Sequence, residues 1–200
     1  MGIEQDSALL VVDIQNCFLP GGSLAVAEGD EIIPRINSYI RAFRQAGRPV
    51  YASRDWHPPE TTHFQSGGGP WPEHCVQNTP GAEFHPDLEL PEDAHIVSKG
   101  MGADEDAYSA FHARDDGGRM LLDKLLEAGI KHLYIGGLAL DYCVKYSTLD
   151  AAVAGLKVTV LIDASRAVNV EIHDAEKAIE DIVRAGAQLA TLETLELADV

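Results

Sequence analysis

Short apolar runs of strand length alternate with helical patterns along the whole 200-residue chain, and that alternation leaves few folds open. Ala8-Leu9-Leu10-Val11-Val12-Asp13-Ile14 is apolar except for one carboxylate, the pattern of a strand covered on both faces. Asp30 is placed to cap a helix whose apolar face is Ile32, Ile33, Ile36, Ile40 and Phe43, with Gly47 as its stop. Pro34 is tolerated there because it lies in the first turn. Stretches 49–53, 96–98, 132–136, 158–162 and 189–191 read as further strands. Stretches 121–128, 141–154 and 175–185 read as helices ended by Gly129, Gly155 and Gly186. This order predicts an α/β fold over 1–200: a single-domain α/β/α sandwich around a central, mostly parallel sheet with right-handed crossovers. No internal repeat or low-complexity linker divides the chain.

Charge narrows the function. The chain carries 15 Lys and Arg against 32 Asp and Glu, a formal net charge of −17. Phosphate neutralisation needs clustered basic residues, so the balance argues against nucleic acid as a partner and against an anionic membrane surface. No apolar run reaches the length of a membrane helix, and the acidic start lacks the basic segment of a secretory leader. These features predict a reducing, cytoplasmic setting in which the three cysteines are free thiols.

One segment departs from the alternation. Residues 54–92 are rich in Pro, Gly, His and Trp and show no periodicity. A loop of that length is functional or disordered, and its two Trp and four His residues favour function. It follows the second strand, so it can arch over the carboxyl edge of the sheet, where ligands bind in open α/β folds.

Three polar residues fall at the ends of predicted strands. Cys143 follows Gly136-Gly137-Leu138-Ala139-Leu140-Asp141-Tyr142 as the chain leaves a strand for a helix. With Asp141 as N-cap, Cys143 lies in the first turn, where free N–H groups and the macrodipole lower a thiol pKa and can hold an oxyanion. Asp13 interrupts the first strand, and Lys99 ends the third. Taken singly, each has a plain structural reading: a buried thiol filler, a turn carboxylate and a surface lysine. Together an Asp, a Lys and a Cys suit nucleophilic catalysis by an activated thiol.

Asp55-Trp56-His57 sets a carboxylate and an imidazole two residues apart, on one side of an extended chain, and His63 and His74 follow. Such a set suits zinc, iron or manganese; exposed loop histidines are the alternative. Gly67-Gly68-Gly69 lacks the Lys-Ser/Thr of a phosphate loop. Neither the serine-hydrolase elbow nor the zincin helix motif is present.

The chain resembles the nicotinamidase (pyrazinamidase) family of isochorismatase-like cysteine hydrolases. The resemblance rests on Val12-Asp13-Ile14-Gln15-Asn16-Cys17-Phe18, Asp55-Trp56-His57-Pro58, Trp71-Pro72-Glu73-His74-Cys75-Val76, Thr79-Pro80-Gly81-Ala82, Lys99-Gly100 and Gly137-Leu138-Ala139-Leu140-Asp141-Tyr142-Cys143-Val144. It implies hydrolysis of nicotinamide to nicotinate and ammonia in NAD salvage, with pyrazinamide as a further substrate. It also implies Cys143 as nucleophile, Asp13 as acid/base and Lys99 as the third catalytic residue. Asp55, His57 and His74 are the implied ligands of one divalent metal ion, zinc ahead of iron or manganese; His63 stands where some members supply another. The N–H groups of Ala139, after a cis peptide bond from Leu138, and of Cys143 are the implied oxyanion hole. Phe18, Trp71 and Tyr142 are the implied walls around a small aromatic amide. Members without nicotinamide specificity generally lack the metal set, so a cysteine amidohydrolase of another small amide is the competing expectation. The family often self-associates, which makes a homo-oligomer a further expectation. Cys17 and Leu140 depart from the usual pattern, and Cys17 and Cys75 both read as packed thiols.

Overall fold

Strand β1 (Ser7–Val12) is buried along its whole length, and its side chains divide by alternation between two cores. Leu9 and Val11 face helix α1 (Ile33–Gln45), which presents Ile33, Ile36, Ile40 and Phe43 to the sheet. Ala8, Leu10 and Val12 face the opposite layer of α2 (Leu121–Glu127), α3 (Lys145–Val153) and α4 (Asp174–Arg184), which contribute Leu121, Leu125, Ala151 and Ile182. A strand covered on both faces must be apolar throughout, as the sequence of β1 is. The molecule is therefore the expected α/β/α sandwich, described here by a computed structural model over residues 3–105 and 108–195.

The remaining strands are β2 (Val50–Asp55), β3 (His95–Lys99), β4 (His132–Leu138), β5 (Lys157–Arg166) and β6 (Gln188–Ala190). They form one sheet in the order β3-β2-β1-β4-β5-β6, and every neighbouring pair is parallel. From β1 the chain builds outward on one side through β2 and β3, then returns to build the other side through β4, β5 and β6. The seam between β1 and β4 is thus the point where strand order reverses. The two strands approach closely there: a Cβ on Gly137, which has φ +134°, would lie 2.1 Å from the Val12 carbonyl oxygen.

Two helix starts differ from the sequence expectation. Asp30 does not cap α1. Glu28 adopts a left-handed conformation, and a 3-10 turn over Gly29–Ile32 follows, so Asp30 lies inside that turn and Ile32 is the cap residue. Asp141 does not cap its helix either: a π-turn over Leu140–Val144 precedes α3, and Ala139 is its cap residue. The long segment after β2 is ordered by isolated bridges, His57 with Val76 and Phe64 with Trp71, with Gln15 bridging to Phe84. Among the described residues, no helix is long and apolar enough to cross a membrane.

Candidate active site

The carboxyl ends of four strands converge on one buried charge cluster. Asp13 leaves β1 in a left-handed turn of φ +52°, which aims its side chain across the strand ends. Ser53 Oγ donates to Asp13 Oδ1 at 2.7 Å, and Lys99 Nζ lies 2.8 Å from Asp13 Oδ2. Lys99 also donates to Asp55 Oδ1 and lies 3.6 Å from Cys143 Sγ. Asp55 and Lys99 are register partners at the ends of β2 and β3, which fixes the first of these pairs. One fully buried ammonium thus touches two buried carboxylates and a thiol.

Burial opposes the charged form of every member, and the neighbours decide the outcome. For Lys99, burial works downward, but Asp13, Asp55 and the thiol hold its pKa well above the ordinary lysine value. For Asp55, burial works upward, but Lys99, His57 and His74 hold it below the usual carboxylate range. Asp13 is raised, because burial and Asp55 together exceed the pull of Lys99 and Ser53. Burial likewise pushes the Cys143 thiol well above its ordinary value; Lys99 pulls it back, and Asp13 and Asp55 push it up again. This corrects the expectation of a depressed thiol pKa. A helix-terminal position favours thiolate, but here the sulfur is buried beside two carboxylates. Cys143 rests as a thiol next to a carboxylate of raised proton affinity, an arrangement suited to passing one proton between them.

A second cluster adjoins the first. The ring nitrogens of His57, His63 and His74 converge so that one from each lies within 4.8 Å of the others. Asp55 Oδ2 lies 3.7 Å from His57 Nε2 and 3.8 Å from His74 Nε2, so Asp55 faces both clusters with its two oxygens. His74 Nδ1 is 2.7 Å from the Pro72 carbonyl, which can only accept, so Nδ1 carries the proton and Nε2 presents its lone pair. Burial lowers the His74 pKa to about 4, which keeps the ring neutral at pH 7. Neither ring nitrogen of the buried His57 has a hydrogen-bond partner among the described residues. Orphaned buried nitrogens, a neutral imidazole and a shared carboxylate fit a divalent cation. All four ligand candidates expected from the sequence, His63 included, are thus brought together.

A pocket opens over both clusters. Phe18, Trp71 and Tyr142 line it as expected, together with Ala139 and Cys143. The Phe18 ring stands 5.6 Å from that of His74, and Trp71 meets Tyr142 edge-on at 5.2 Å. The Leu138–Ala139 peptide bond is cis. Sequence reasoning missed Tyr108, whose hydroxyl accepts a 2.8 Å hydrogen bond from Trp71 Nε1, and Val26 and Val168, which also line the pocket. Tyr108 carries no local signal, because it sits in a loop without periodicity. Val168 is placed by Asp141, whose carboxylate accepts the N–H groups of Val168 and Asn169 at 2.9 and 2.8 Å. Asp141 therefore ties the pocket to the loop after β5 and leaves its own helix uncapped.

Cys17 and Cys75 are joined by a disulfide, with their Cα atoms 5.7 Å apart. This corrects the expectation of two packed free thiols; Cys143 is free. The chain returns to the turn after β1 at a sequence separation of 58, a proximity that sequence neighbourhood cannot reveal.

A doubly wound α/β sheet with a cysteine, a buried ion-pair network and a histidine cluster beyond its strand ends defines a hydrolase of the open-sheet α/β class. The chain belongs to the isochorismatase family, whose domain model matches residues 7–194. It is 41% identical over 203 residues to the nicotinamidase of Escherichia coli, covering 92% of this chain and 94% of that protein. The solved pyrazinamidase of Pyrococcus horikoshii in complex with zinc superposes with a TM-score of 0.86 at 46% identity, covering 93% of this chain and 99% of that one. PnC1 from L. infantum, solved in complex with nicotinate, gives a TM-score of 0.87 at 32% identity and covers 97% of each chain.

Proposed function

We propose that the protein is a nicotinamidase, an amide hydrolase that converts nicotinamide to nicotinate and ammonia and accepts pyrazinamide. The observation that carries this reading is the single buried Lys99 joining Asp13, Asp55 and Cys143 beside three converging histidines. The 41% identity to a nicotinamidase supports the substrate class.

In this mechanism Asp13 accepts the Cys143 thiol proton as sulfur attacks the carboxamide carbon, and Lys99 holds the two groups in register. Oxygen charge develops within reach of the Ala139 and Cys143 N–H groups, a contribution of about 3 kcal/mol per donor in sites of this kind. Asp13 then returns its proton to the leaving ammonia. It next takes a proton from the water that cleaves the thioester, releasing nicotinate and restoring the thiol. Asp55, His57, His63 and His74 would hold a divalent ion, assigned here as zinc, which when bound would supply a Lewis-acidic point beside the pocket for the nitrogen of the substrate ring. Phe18, Trp71 and Tyr142 bracket the aromatic ring and exclude water from it.

The test is ammonia release from nicotinamide by the purified protein, beside a Cys143→Ala variant and a sample treated with chelator. Loss of turnover in both supports the thiol and the metal together. Turnover that survives Cys143→Ala would overturn the nucleophile assignment.

A further inference from the structure

Resting on the metal reading above, we propose that the Cys17–Cys75 disulfide is a redox-responsive clamp that sets the geometry of the histidine site, so that its reduction loosens metal binding. Both partners sit one residue from a pocket group: Cys17 precedes Phe18, and Cys75 follows His74. Cys75 is also tied to a second candidate ligand, because its carbonyl accepts the His57 N–H at 3.0 Å. The Gln77 N–H donates to the His57 carbonyl at 2.8 Å and completes the attachment. The bond therefore anchors the turn after β1, with Asp13 and Phe18, to the segment that fixes His57 and His74. Its companions across this boundary are the side-chain hydrogen bonds from Asn16 Nδ2 to the Pro80 carbonyl and from Gln15 Nε2 to the Ala82 carbonyl, both 2.9 Å, and the backbone bonds from the Asn16 N–H to the Glu83 carbonyl and from the His85 N–H to the Ile14 carbonyl, both 3.0 Å.

The size of the change follows from general distances. Bonded sulfurs lie about 2.05 Å apart, whereas unbonded heavy atoms rest about 3.5–4.0 Å apart. Reduction therefore demands about 1.5 Å of extra separation in a close-packed region. Both cysteines are only 1% exposed, so the neighbours must yield. A displacement of that size next to His74 is large for a coordination shell, where ligand distances hold within about 0.2 Å. Access comes from outside the active site. A separate surface cleft has Cys17 in its lining, with Asn16, Gly22, Pro80, Gly81 and His85. The reductant is a dithiol. One thiolate attacks a sulfur and breaks the S–S bond, giving a mixed disulfide. The second thiol displaces it, two electrons and two protons end on Cys17 and Cys75, and the reagent leaves as its own disulfide.

The experiment compares oxidised and reduced whole protein. A thiol count in denaturant should give one reactive group, Cys143, in the oxidised sample and three after reduction. Zinc affinity is then read by competition with a chromophoric chelator, after the dithiol reductant and its disulfide have been removed by desalting without air. The expected result is at least tenfold weaker zinc binding in the reduced protein, restored on reoxidation. The Cys17→Ala/Cys75→Ala variant should bind zinc weakly and ignore the redox state. A bond that only stabilised the fold would shift the melting temperature and leave zinc affinity at 25 °C unchanged. Equal affinity in the oxidised and reduced protein overturns the proposal, as do three reactive thiols that persist after oxidation. Zinc bound in neither state overturns the metal reading and the clamp with it.

Discussion

Gln15 shows how one side chain can stand in for a strand. Its carboxamide accepts the Asp55 N–H at 2.8 Å and donates to the carbonyls of Asp55 and Ala82 at 2.8 and 2.9 Å. It thereby extends the pairing of β1 and β2 one step beyond the sheet and fixes the backbone of Asp55. Gln15→Leu leaves three buried backbone groups unpaired. It should cost about 1–3 kcal/mol per orphaned group at the outset, measured by urea unfolding, and should also raise KM if Asp55 shifts. Lys99 is the more severe case. Lys99→Met strips the shared cation from two buried carboxylates, and breaking a buried pair costs about 3–5 kcal/mol. The same experiment reads it, and a loss under 1 kcal/mol would show that the two carboxylates do not depend on Lys99. On the proposed mechanism Asp13 must be ionised to take the thiol proton. With its pKa raised by burial, the acid limb of the wild-type kcat/KM profile should lie above 3.8, the ordinary value for that carboxyl, with activity present above the Asp13 pKa and lost below it.

At the scale of elements, α1 tests whether its apolar face is the main tie between helix and sheet. Ile36 is fully buried and packs against the β4 backbone at Gly136. Ile36→Ala should lower stability by about 2–5 kcal/mol in urea titration. Val153→Ala, at the exposed end of α3, should change it by less than about 0.5 kcal/mol. The same contrast explains what could be read in the sequence. β1, β4 and the buried face of α1 announce themselves because an unbroken apolar run and a 3.6-residue period are local properties. Asp13, Lys99 and Cys143 were legible because a polar residue at the end of an apolar strand run is conspicuous. Helix starts were not: Asp30 and Asp141 are good capping residues, yet each was drawn elsewhere by a turn or a distant loop. Asp141 meets Val168 across 27 residues, and Cys17 meets Cys75 across 58; no periodicity encodes such contacts. The thiol pKa was misjudged for a related reason. Helix position is local, but burial and the neighbouring carboxylates are products of the whole fold.

For the whole molecule, the two rims of the sheet carry different duties. The carboxyl rim holds the site, and the opposite rim holds a stabilising group built on His132. His132 is buried, with Nδ1 2.9 Å from Glu4 Oε2 and Nε2 2.8 Å from Thr159 Oγ1, and its ring stacks on Tyr134 at 4.2 Å. Burial lowers its pKa below 6.5 despite the pull of Glu4. Below pH 6.5 the unfolded chain therefore binds more protons than the folded one, so stability falls as pH drops through that window and is full above it. His132→Gln should flatten this dependence between pH 6.5 and the folded pKa, as read from melting temperatures in a pH series. A slope unchanged by the substitution would assign the acid sensitivity to other groups.

The seam between β1 and β4 also divides the labour of the chain. Everything N-terminal to the exposed turn at Gly129 supplies Asp13, Asp55, the three histidines and Lys99, while everything after it supplies Ala139, Tyr142 and Cys143. A single cut at that turn would yield one fragment with the cation cage and another with the sulfur. Neither piece is expected to turn over an amide by itself, and activity should return only as the two halves find each other again along the β1–β4 edge and the helices packed across it. The reaction centre is in this sense an interface that happens to lie within one polypeptide, and its integrity reports on the docking of the two halves.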